Sequence, residues 1–203
     1  MYINLVSMGR FFRPRPAIEC PLLTCAGSGA HFGLIRLNSG EATMTTDFQI
    51  LWDAYPDADR VEFFQDLGGG WPALIGDPAF ENTCALRLSV ALRATGSAPP
   101  AELVKNDGNL KDGQGNSLIV RVATAKAWLE SLLGPSMWGI SKQVGADIGD
   151  GLIPAWKGIL LYRVPNAADA SGHVDLWNIS KCRIDCHSHF ARSATSVELW
   201  RLL

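Results

Sequence analysis

Apolar positions follow a helical rhythm early in the chain and a strand rhythm late. Phe48, Leu51, Trp52 and Tyr55 recur at the spacing of one helix face, behind the capping candidates Thr46 and Asp47, and Pro56 closes the segment. A second helix is predicted after the polar pair Asn82-Thr83, either of which can cap it, with Gly96 as its stop. Apolar residues cover most of its surface, leaving mainly Arg87 and Arg93 for water, so this helix is expected to be largely buried. Residues 118–122 form a short apolar run that reads as a strand. Thr124 can cap a third helix carrying Ala127, Trp128, Leu132 and Leu133, stopped by Gly134-Pro135. Residues 158–164 are apolar apart from Arg163 and predict a central strand buried on both faces. Residues 172–177 alternate, and 197–203 read as a closing strand. Helices first and strands later favour an α+β domain with an antiparallel sheet over a doubly wound one.

Between these elements, Gly68 to Gly70 and Asp77-Pro78 mark a long loop that leads into the second helix. The triple glycine has neither the Lys-Ser/Thr nor the preceding strand of a phosphate loop. This loop and the glycine-punctuated residues 141–151 are expected to line a cleft. Residues before Met44 have no sustained period: Arg10, Arg13 and Arg15 alternate with Phe and Pro, and a glycine- and serine-rich run follows. We read residues 1–43 as an extension, mobile or not translated if synthesis begins at Met44, and 44–203 as the folded domain. The extension makes a poor signal peptide, because its basic residues follow its first apolar ones and prolines break what comes next.

The chain has 203 residues, 47% of them hydrophobic, enough for one good core. A formal net charge of -2 argues against a protein that lives on nucleic acid or anionic lipid, and no apolar run is long enough for membrane insertion. The five cysteines are an odd number, which suits a reactive thiol plus pairs.

Cys84 falls in the first turn of the second helix, where unpaired amides and the helix dipole favour a thiolate, the nucleophilic form. His173 and Asp175 share one face of the alternating strand. A histidine on a sheet opposite a cysteine at a helix N-terminus is the geometry of a Cys-His dyad, in which the imidazole takes the thiol proton and returns it to the leaving amine. A third group usually fixes the imidazole. Asp175 is near, but residues two apart on a strand are roughly 6 to 7 Å apart at the backbone, so its short side chain is expected to fall short. Asp185 comes from the following segment and can fold back beside the strand, so it is the preferred carboxylate. Cys182 and Cys186 are expected to form a local disulfide; the alternative is a zinc site with His187 and His189, which would make the protein a non-catalytic binding module.

The ordered set Asn82-x-Cys84-x-x-Arg87-x-Ser89, Ala94-Thr95-Gly96, Lys157-Gly158-Ile159, Gly172-His173-Val174-x-Leu176-Trp177-Asn178, Cys182, Cys186 and Leu199-Trp200-x-Leu202 resembles the fourth family of type VI secretion amidase effectors, bacterial toxins related to NlpC-like cysteine peptidases. The resemblance implies a papain-like fold, no cofactor, and hydrolysis of peptidoglycan stem peptides between D-glutamate and meso-diaminopimelate. It matches Cys84 to the nucleophile and His173 to the base. The family's third residue is an Asp one place before Asp185, where this chain has Ile184. The resemblance also implies an immunity protein that plugs the cleft. It implies cytoplasmic synthesis, delivery by the type VI apparatus, and action in a target's periplasm, where a disulfide can form.

Overall fold

The computed structural model describes residues 47–141, 152–164, 172–184 and 194–203. The 1–43 extension and the expected cleft loop over 142–151 lie outside the described residues. Among the described residues, five α-helices precede or flank one antiparallel sheet: α1 (Phe48–Ala54), α2 (Arg60–Leu67), α3 (Cys84–Ala94), α4 (Ala101–Asn106), α5 (Val122–Leu133), then β1 (Trp138–Ser141), β2 (Lys157–Arg163), β3 (Gly172–Asn178), β4 (Lys181–Cys182) and β5 (Ser196–Arg201). The strands lie in the order β1-β5-β2-β3-β4, so β2 is central, as its unbroken apolar run predicts.

Alternation along the strands divides the apolar side chains between two cores. Ile159, Leu161, Val174, Leu176 and Trp200 join α1, α3 and α5 in the larger one, with Leu88 and Trp128 at its centre. Leu160, Tyr162, Trp177, Val197 and Leu199 pack on the opposite face of the sheet. A third cluster, Phe63, Phe64, Trp71, Leu86 and Leu118, ties α2 to the far side of α3. Two helices, α2 and α4, were not among those predicted from the sequence.

Two other expectations fail for identifiable reasons. Residues 118–122 are not a strand; Leu118 and Ile119 are fully buried, and side chains serve the backbone amides instead. Ser89 Oγ accepts from Ile119 N–H at 3.1 Å, and Asp107 accepts from the amides of Val120 and Arg121. Thr124 is not the cap of α5. The helix begins two residues earlier, at Val122, and the Thr124 hydroxyl donates to Asp107 at 3.0 Å.

The triple glycine packs on Gly113 and does not line the cleft. Gly113 N–H donates to Leu67 O at 2.7 Å, and a Cβ on Gly113 would lie 2.7 Å from Gly69 N. Gly68 and Gly69 have φ of 64° and 60°, the left-handed region that glycine enters without strain.

Candidate active site

The site forms where the N-terminus of α3 meets an open sheet edge. β4 pairs only with Trp177 and Asn178, so residues 172–176 have β2 on one side and no described strand on the other. Unpaired edge groups must find partners. Gly172 C=O accepts from Asn82 Nδ2 at 3.3 Å, Val174 N–H reaches the Cys84 sulfur, and Leu176 C=O accepts from Arg183 N–H at 2.9 Å. Leu176 N–H is taken by the carboxylate of its neighbour Asp175, at 2.7 Å. Gly172 is required at the start of the strand, since a Cβ there would lie 2.1 Å from Tyr162 O.

Asn82 makes the join on both sides. Its Oδ1 accepts from Cys84 N–H at 3.1 Å while its Nδ2 holds β3, two residues before Val174. Asn82 is therefore the residue that binds the first turn of α3, and Thr83 makes no side-chain capping bond. The Cys84 amide is thus already committed to Asn82.

A cavity of about 440 Å³ opens at this junction, lined by Cys84, His173 and Asp175 with Tyr55, Asn82, Arg87 and Ile184. The thiol and the imidazole expected to act together therefore face one space. His173 Nε2 stands 4.0 Å from Asp175 Oδ2, beyond a hydrogen bond but within strong electrostatic reach. The expectation that Asp175 falls short of the imidazole holds for a direct bond only. Asp175 is fully buried, with Oδ2 accepting from Ile184 N–H at 3.0 Å. Asp185 and Cys186 lie outside the described residues; Cys182 is disulfide-bonded. A disulfide sulfur is not a thiolate, so in this state Cys182 cannot serve the zinc alternative; His187 and His189 lie outside the described residues.

Cys84 departs from the thiolate expected at a helix N-terminus. Burial pushes its thiol up to about 12, with the Asp175 carboxylate adding to the rise, against the lowering effect of the amides of Val174, Ala85 and Cys84 itself. At 5% exposure, desolvation outweighs the helix terminus. Tyr55 is raised too, first by burial and then by Asp175. The sequence placed Arg87 in water, but it is only 6% exposed. Its guanidinium donates to Thr83 Oγ1 at 2.8 Å and Pro56 O at 2.9 Å, and packs 4.5 Å from the Phe63 ring centroid. Burial lowers its pKa, and the negative groups around it, Asp175 among them, act against that.

An α+β domain with helices on an antiparallel sheet, and with a helix-borne thiol and a strand-borne imidazole facing one cleft, has the architecture of the NlpC-like fold. Residues 80–200 match the family model "Type VI secretion system (T6SS), amidase effector protein 4". The chain belongs to that family of amidase effectors. It is similar in structure to Tae4 from Enterobacter cloacae in a complex with Tai4, with a TM-score of 0.65 and 23% identity over 78% of this chain and 99% of that one. Tae4 from Salmonella Typhimurium in its Tae4-Tai4 complex gives a TM-score of 0.63 at 23% identity, over the same 78% and 99%. The Enterobacter cloacae effector solved alone gives 0.65 at 23% identity, over 78% and 97%. No curated protein sequence matches the chain.

Proposed function

We propose that the chain is a cysteine amidase that hydrolyses peptidoglycan stem peptides at the bond between D-glutamate and meso-diaminopimelate. The observation that carries the reading is the convergence of Cys84 and His173 on one cleft at the open edge of β3. Because the resting thiol is held protonated, the proton leaves as the sulfur attacks: His173 accepts it while Cys84 Sγ bonds to the amide carbon. The imidazolium then gives the proton to the departing amine, leaving a thioester. Water, deprotonated by His173, releases the acid and restores the thiol. Asp175 supplies the negative charge that favours the imidazolium, on the strength of its 4.0 Å approach, and Asp185 is the rival for this role.

We further propose that residues 44–203 form the catalytic domain, with residues 1–43 as an extension, and that Cys182 pairs with Cys186. We also propose synthesis in the producer's cytoplasm and action in a target's periplasm; the family description supports delivery by a type VI apparatus. The pairing of relatives with Tai4 supports a cognate immunity protein for this chain. Replacing Cys84 by Ala is expected to abolish release of new amines from purified peptidoglycan. Undiminished release by a folded variant overturns the proposal.

A further inference from the structure

A second cavity, of about 570 Å³, abuts the catalytic cleft. The two share Asn82 and Thr83 as lining residues, so they lie on either side of the first turn of α3. Its walls are apolar where Phe80, Leu86, Leu110 and Val120 face it, and Arg121 is its one cationic lining residue among the described residues. Asp107, the one acid among the described lining residues, is a buried carboxylate that accepts from the amides of Val120 and Arg121 and from the Thr124 hydroxyl and also faces the Arg121 guanidinium. Arg121 Nε pairs with Asp107 Oδ1 at 3.7 Å, a contact that engages one end of the guanidinium and leaves most of the side chain in solvent. Its Nη1 donates to Asn106 O at 3.2 Å, and its side chain keeps 67% of its surface exposed.

Amide hydrolysis fixes which half of a substrate belongs here. His173 must hand a proton to the leaving amine, so the amine half lies on the side of Cys84 lined by His173, Asp175 and Ile184. The acyl half then runs the other way, over Asn82 and Thr83. We infer that this cavity is the acyl-side subsite and that Arg121 binds a carboxylate carried by the acyl group. The inference rests on the amidase reading above and deepens it. A glutamyl group cleaved at its γ-carbonyl keeps a free α-carboxylate a few bonds from the scissile carbon. Its methylene stem suits the apolar wall, and its charge suits the guanidinium.

Two stem-peptide substrates that differ only in that group, one with the free α-carboxylate and one with it amidated, test the assignment. Wild type is expected to favour the free acid. The Arg121→Gln variant is expected to raise KM for the acid about tenfold or more, the range of one charge-assisted hydrogen bond, with kcat and the amidated substrate little changed. Equal effects on both substrates, or none, overturn the role of Arg121. Filling the mouth of the cavity from the exposed first turn of α5 with Ala123→Trp should raise KM for both substrates. Alkylation of Cys84 by iodoacetamide should keep its wild-type rate; an unchanged KM overturns the cavity assignment. Calorimetric binding of the dipeptide L-alanyl-D-glutamate separates the two readings. Binding that weakens in Arg121→Gln, in a wild type that releases no amine, keeps the subsite and sinks the amidase, whereas hydrolysis without Arg121-dependent binding does the reverse.

Discussion

Replacing Asp175 by Asn keeps the side chain's size while removing its charge, and the geometry sets two separate losses. The carboxylate accepts from Leu176 N–H through one oxygen, at 2.7 Å, and from Ile184 N–H through the other, at 3.0 Å. An amide has a single oxygen, so one buried N–H would face an NH₂ group, at about 1–3 kcal/mol of stability. In a chain of this length that lowers the melting temperature by roughly 2–4 °C for each kcal/mol. The second loss is catalytic. A negative charge 4.0 Å from Nε2 stabilises a forming imidazolium by about 4 kcal/mol at an effective dielectric of 20, roughly a factor of 10³ in kcat. Urea unfolding reads the first loss and amine release from peptidoglycan under saturating substrate reads the second. A destabilised Asp175→Asn variant whose kcat stays within about threefold of wild type would refute the electrostatic role. It would leave Asp175 as a brace for the 182–184 segment, and a large kcat loss in Asp185→Asn would then move the role to that residue.

The remaining predictions concern a backbone contact and a proton. Gly113→Ala should destabilise by about 1–3 kcal/mol, because its new Cβ would press on the backbone at Gly69 with no flexible side chain to yield; a lower urea midpoint with near-normal KM is the expected result. Burial pushes the Cys84 thiol up to about 12 from the ordinary 9.0, so between those limits the unfolded chain has lost a proton that the folded chain keeps. The associated stability is complete below pH 9 and is lost as pH rises toward 12, by about 1.4 kcal/mol per unit. Urea midpoints of wild type should fall relative to Cys84→Ala above pH 9, and parallel curves would contradict the buried thiol.

What could be read from the sequence depended on whether the signal was local. The central strand was plain because residues 158–162 are apolar without interruption, and β3 because its residues alternate. Cys84 and His173 could be singled out as candidates because each belongs to an element with clear punctuation. α2 had its own signals, Asp59 as cap and Glu62 in the first turn, but only eight residues in which to show a period. The run at 118–122 looked like a strand because burial and β-type residues are what a strand shows; that Ser89 and Asp107 would replace a partner strand depends on residues 30 and 13 positions away. Arg87 was placed in water for the same reason: its acceptor at Pro56 lies 31 residues upstream. The protonated thiol was not legible at all, since a helix N-terminus is a sequence feature and desolvation is a property of the assembled core.

The docking of α3 on the free side of β3 also bears on how the molecule avoids itself. An uncovered strand edge is a template for pairing with another chain. Here the groups that would invite a neighbour are taken up by Asn82, Cys84, Asp175 and the Arg183 amide, three of them side chains at the catalytic junction. Two of the groups proposed for catalysis, Cys84 and Asp175, therefore also guard the edge. Selection for activity would carry resistance to edge-to-edge association along with it, and inactivating substitutions at these positions would expose a sticky edge as well as silence the enzyme.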